Sequence, residues 1–98
     1  MENLGGSLTS NYHASGVNWG SGAIPGSWCG AWHTFTLYRR SSSADIYWDG
    51  AKVTSYQTSD AGVRQDLILN IGNGEGNPVV TGPAGALKVD WVRAWEPA

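Results

Sequence analysis

The side chains with the clearest chemical potential in this 98-residue chain are its indoles. Six Trp and four Tyr are several times what an ordinary core of this size uses. An indole buries a large apolar area yet carries an N–H that needs a partner, so Trp gathers in cores, interfaces and ligand clefts. The flat apolar face of a pyranose ring packs on indole as any flat apolar surface does. Sugar stacking is therefore one use this composition leaves open, with Trp19, Trp28 and Trp32 flanking one Gly/Ser/Pro loop at residues 20–30. Core packing is the competing use of the same residues. Cys29 is the only cysteine; it can close no intrachain disulfide and is expected to be a small buried apolar residue. No metal site and no cofactor are expected. Residues 72–76, Gly-Asn-Gly-Glu-Gly, make no phosphate cradle because no helix pattern follows them. The spacing of Asn73, Glu75 and Asn77 matches no Ca²⁺ loop.

Charge and hydropathy narrow the classes further. Six basic residues against eight acidic ones give a net charge of −2, and the six cations are scattered. No basic patch for nucleic acid follows from them. With 41% apolar and 14% charged residues the chain is expected to fold. No apolar run approaches the roughly 20 residues of a membrane span, and the opening residues carry no signal-peptide pattern.

Period-two patterning dominates the chain. Residues 32–40 place Trp32, Thr34, Thr36 and Tyr38 on one face and His33, Phe35, Leu37 and Arg39 on the other. Residues 44–49 and 51–56 flank Asp49-Gly50, the strongest short hairpin signal. Further strands are expected at 10–19, 65–72 and 86–95, and a short extended segment at 1–4 runs into the turn Gly5-Gly6-Ser7. Only residues 59–66 suggest a helical turn. Asp90 reads as a pairing residue on a sheet surface. Short strands with Gly-rich turns, no repeat and no linker predict a single all-β domain over residues 1–98, an antiparallel sandwich or barrel.

Four stretches occur in one order at compatible spacings: Trp32-His33-Thr34-Phe35, Ile46-Tyr47-Trp48-Asp49-Gly50, Leu67-Ile68-Leu69-Asn70-Ile71, and Leu87-Lys88-Val89-Asp90-Trp91-Val92-Arg93. Together they resemble the C-terminal half of glycoside hydrolase family 16. The resemblance implies a concanavalin-like jelly roll, an antiparallel β-sandwich with a sugar cleft across its concave sheet, here reduced to about half. It also implies a retaining endo-hydrolase of β-1,3 or mixed β-1,3/1,4 glucans, secreted in the manner of the family.

Met1-Glu2-Asn3, followed by Gly5-Gly6, is similar to the end of the family's catalytic signature, E-x-D-x-x-E. The resemblance makes Glu2 the general acid/base. It places the nucleophile Glu and the middle Asp at positions before Met1. Retention needs two carboxyl groups about 5–5.5 Å apart, one attacking the anomeric carbon and one passing the proton. Alternate residues of a strand share a face, and the extra residue of the signature implies a bulge that re-aims its last Glu. Glu2 alone cannot perform a double displacement, so the chain is expected to be inactive by itself. Carried over in the same way, His13 and Asn70 become cleft residues, with Trp19, Trp28 and Trp32 as stacking platforms; His33 is a structural hydrogen bonder. The rival class is a non-catalytic carbohydrate-binding or assembly module on the same sandwich. Either way the expected partners are a polysaccharide and a second copy, or another chain that completes the sandwich, because six strands are about half the family's number.

Overall fold

A computed structural model describes residues 2–4, 7–70 and 86–96, the first of these segments and Ser7 by backbone alone. The described chain is all-β, its sheets are antiparallel, and it contains no helix. Seven strands form among the described residues: β1 (Glu2–Leu4), β2 (Ser7–Thr9), β3 (Asn11–Ala14), β4 (Val17–Gly20), β5 (Phe35–Arg39), β6 (Ser43–Trp48) and β7 (Ala51–Gln57). They make two hairpins, β1-β2 and β3-β4, and one three-stranded sheet ordered β5-β6-β7.

The central sheet follows from its residues. Phe35, Leu37 and Tyr38 in β5, Ile46, Tyr47 and Trp48 in β6, and Val53, Thr54 and Tyr56 in β7 are β-branched, aromatic or Leu residues that suit a pleated surface. Strand β6 is central and buried on both faces: Ala44 and Ile46 are 1% and 2% exposed on one side, and Asp45 is 8% exposed on the other. Asp45 survives there because Arg40 Nη1 donates to it at 2.8 Å. Asp49-Gly50 joins β6 to β7 with both residues in the left-handed region, φ 49° and 80°. That is the backbone of a type I′ turn, whose twist matches the strands it joins. The β6–β7 register shifts by one between Ile46 and Tyr47, leaving Val53 without an opposite residue.

The aromatic side chains knit the rest of this part of the chain onto the sheet. In the β3-β4 hairpin Tyr12 lies opposite Trp19. Both rings pack on Tyr56 of β7, with centroids 5.4 and 4.6 Å away. The Tyr12 hydroxyl accepts from the Ser59 backbone N–H at 3.0 Å. Leu8 bridges to Ile24, and these two with Tyr12, Ala44 and Ile46 are the buried apolar residues among those described.

Four expectations are corrected. Residues 10–19 are not one strand but the β3-β4 hairpin, because Gly16 at φ 72° lets the chain reverse after Ser15. Residues 59–66 hold no helical turn: Ala61 and Gly62 both have positive φ, and Val63 N–H bonds to Asp60 O at 3.1 Å, which makes a β-turn. Residues 65–70 and 86–95 alternate in sequence but form no strand among the described residues. A strand needs a ladder partner, and none of the described residues pairs with either segment. Cys29 is exposed, because it sits in the loop between β4 and β5 and not on a described strand. Residues 71–85, with the Gly-rich loop and Asn73, Glu75 and Asn77, lie outside the described residues.

The chain divides into two compact units, Met1–Gln65 and Asp66–Ala98. All seven strands belong to the first. In the second, the Arg93 guanidinium lies 5.1 Å from the centre of the Trp91 ring.

Candidate functional site

The densest constellation of chemically able side chains sits where the 21–34 loop meets the β6-β7 turn. Hairpin arithmetic puts it there. β5 and β6 pair so that the numbers of opposite residues sum to 83, from Arg39↔Ala44 to Phe35↔Trp48. One step further, Asp49 comes opposite Thr34, and the two are joined twice: Asp49 N–H donates to Thr34 O at 2.8 Å, and Thr34 N–H donates to Asp49 Oδ1 at 2.8 Å. The other carboxylate oxygen lies 2.6 Å from His33 Nδ1. An ionised carboxylate only accepts, so Nδ1 carries the proton. These bonds hold the Asp49 carboxyl below the usual carboxylate range, the His33 bond first and the Thr34 N–H second.

Two indoles complete the cluster. The His33 ring lies 5.0 Å from Trp48, and Trp28 meets Trp48 edge to face at 4.8 Å. Trp28 Nε1–H donates to Ile24 O at 2.9 Å, which fixes the orientation of its ring. Gly26 must stay side-chain-free beside it, because a Cβ there would come within 3.0 Å of three Trp28 ring carbons. His33 Nε2 is buried without a hydrogen-bond partner. That nitrogen is therefore closed to solvent, and the pair acts as a fastening between loop and turn. Trp32, next to the fastened His33, is 67% exposed.

The residues singled out from the sequence fall in different places. Trp28 and Trp32 belong to the loop that meets the turn. Trp19 spends one indole face on Tyr56. His13 is exposed on the opposite face of the same hairpin, its Nδ1 2.9 Å from Asn18 Oδ1 of the facing strand. His13 and Trp19 therefore cannot line one surface. Asn70 is exposed in the second unit. Glu2 pairs by its backbone with Thr9 in β1-β2, and its side chain lies outside the described residues.

Asp49 is the member that sequence reasoning gave only to the turn. Counting register back from the β5-β6 turn would have found it beside His33. A second fastening is also absent from the sequence reading: Arg39 Nη2 lies 2.5 Å from Asp60 Oδ2, and Arg39 Nη1 donates to Val63 O. Burial pushes the Asp60 carboxyl up, and the bonds from Arg39 and Gly62 N–H, with the Arg39 charge, bring it below the ordinary value. Burial pushes the Tyr56 hydroxyl up.

No family model, no curated protein and no solved structure matches this chain.

Proposed function

We propose that the chain is the glucan-binding portion of a retaining β-glucan hydrolase similar to glycoside hydrolase family 16. On this reading its strands belong to a concanavalin-like sandwich. They recognise β-1,3 or mixed β-1,3/1,4 glucan through exposed indoles, without hydrolysis by these 98 residues alone. The observation that carries the reading is Trp32, an indole 67% exposed and placed next to a His locked to the β6-β7 turn. An exposed flat apolar face is what a pyranose ring stacks on, and the fastening of the neighbouring His33 limits the backbone freedom lost on binding. Support also comes from two of the four family-like stretches. Trp32-His33-Thr34-Phe35 and Ile46-Tyr47-Trp48-Asp49-Gly50 are hydrogen-bonded to each other through Thr34, His33 and Asp49.

Glu2 takes the acid/base role in this proposal, and the carboxylate it would work with is not among the 98 residues. Binding and cleavage are therefore separable. Titration of laminarin or lichenan oligosaccharides, followed by calorimetry, should give saturable binding. Trp32→Ala should weaken it about tenfold, ~1.4 kcal/mol. No reducing sugar should appear. Supplying the missing Glu-Ile-Asp-Ile strand in cis should create activity that depends on Glu2. Absence of binding to either glucan, or binding untouched by Trp32→Ala, overturns the recognition claim. Binding with no activity after completion favours the non-catalytic carbohydrate module instead.

A further inference from the structure

We infer that the outer edge of β5 is a self-complementary surface that pairs with the same edge of a second copy, making a continuous six-stranded sheet. The inference rests on backbone register and does not depend on the glucan reading.

In the β5-β6 pair, Arg40 N–H bonds to Ser43 O at 2.8 Å, and Asp49 N–H bonds to Thr34 O at 2.8 Å. Hydrogen-bonded and non-bonded pairs alternate along an antiparallel ladder. Between those two bonded pairs, Thr36↔Tyr47 and Tyr38↔Asp45 are the bonded ones. Phe35↔Trp48, Leu37↔Ile46 and Arg39↔Ala44 are the non-bonded ones. The N–H and C=O groups of Phe35, Leu37 and Arg39 therefore face away from β6. No strand pairs with that edge among the described residues.

Edge strands are normally blunted by charge, Pro or a bulge. This one carries no Pro, no bulge and no unpaired charge among its described contacts. Its single charge, Arg39, is already bound to Asp60, and the register shift lies on the other side of β6. Phe35 and Leu37 are 44% and 46% exposed.

A second copy fits because the strand is centred on one of its outward-facing residues. A two-fold axis through Leu37 sets Leu37 opposite Leu37 of the other copy, and Phe35 opposite Arg39 in both directions. All three are outward-facing residues, so every exposed N–H and C=O of the strand finds a partner at once, six bonds in all. The facing side chains also agree: Leu meets Leu, and the Phe35 ring meets the apolar stem of Arg39, whose guanidinium stays on Asp60. The interface is small, so the association is concentration-dependent.

Leu37→Pro tests this directly, since it deletes an outward N–H that β6 does not use, and Pro is tolerated on such an edge. Sedimentation velocity from 5 to 500 µM, concentrations chosen on the order of weak-dimer affinities, should show the wild-type chain shifting from monomer to dimer. Leu37→Pro should stay monomeric with an unchanged far-UV spectrum. Leu37→Lys, which keeps the N–H but adds an edge charge, decides the matter if the Pro variant does not fold. A wild-type chain that stays monomeric throughout overturns the inference. So does a dimer that survives in the folded variant, or a wild-type assembly that grows beyond two copies.

Discussion

The Asp49 carboxylate accepts from His33 through one oxygen and from Thr34 N–H through the other, while its own backbone makes the left-handed corner of a hairpin. Only the corner was legible in the sequence, because Asp-Gly announces a turn locally, whereas the His33 partnership needs the register of two strands. The charge has a pH consequence. The folded-state value is depressed below the ordinary carboxylate value near 4, so the stabilisation is present above that pH and is lost as pH falls through the depressed value. Asp60, held down by Arg39 against the opposing effect of burial, works in the same direction. Melting temperature should therefore hold steady from pH 6 to about 4.5 and fall below that. Asn at position 49 keeps the positive φ but titrates no longer, so Asp49→Asn should lower stability at neutral pH and flatten the acid slope. An acid slope as steep as that of the wild-type chain would show that the Asp49 charge is not what titrates. Trp28→Phe is a cleaner deletion, removing the N–H donated to Ile24 O at a cost of about 1 kcal/mol in chemical denaturation.

Elements were read best where pattern and turn chemistry agreed. The alternation over residues 32–40 found β5, although the strand occupies only Phe35–Arg39 because His33 and Thr34 are engaged by the turn. Residues 65–70 and 86–95 alternate as well, yet period two describes which face a side chain would take and says nothing about a ladder partner. The β3-β4 reversal was missed although Ser15-Gly16 is a recognised turn dipeptide. Glycine substitutions separate the two costs of such a turn. At Gly16, φ 72°, a Cβ would meet nothing within 4 Å, so Gly16→Ala should cost only the backbone strain, about 1–2 kcal/mol. Gly26→Ala should cost more, because the new Cβ runs into the Trp28 ring. Equal midpoints for the two variants in urea would mean that the Trp28 ring yields freely.

Among the described residues, strands are confined to Met1–Gln65, and the described large apolar residues of Asp66–Ala98 lie exposed. Leu67, Ile68 and Leu69 are 67%, 77% and 54% exposed, and Trp95 is 75% exposed. The count of six strands came from composition and alternation, which cannot distinguish a covered face from an uncovered one. Exposed backbone outside a ladder is the first target of a protease. Brief trypsin treatment should cut after Arg64, Lys88 and Arg93 before it cuts after Arg39, whose side chain is tied to Asp60 and Val63. Early loss of β5 by mass spectrometry would contradict that order. An apolar dye should also bind the intact chain and lose most of its signal once residues beyond Arg64 are removed.

The edge-to-face contact of Trp28 with Trp48 has an optical consequence. Two indoles 4.8 Å apart at 80° are close enough for their electronic transitions to mix, and the fixed skew gives the mixed states opposite rotational strength. Circular dichroism should therefore carry a paired positive and negative band from this one contact. The band vanishes in Trp28→Phe and fades wherever the loop lifts from β6, which gives the loop a built-in spectral reporter of its own docking.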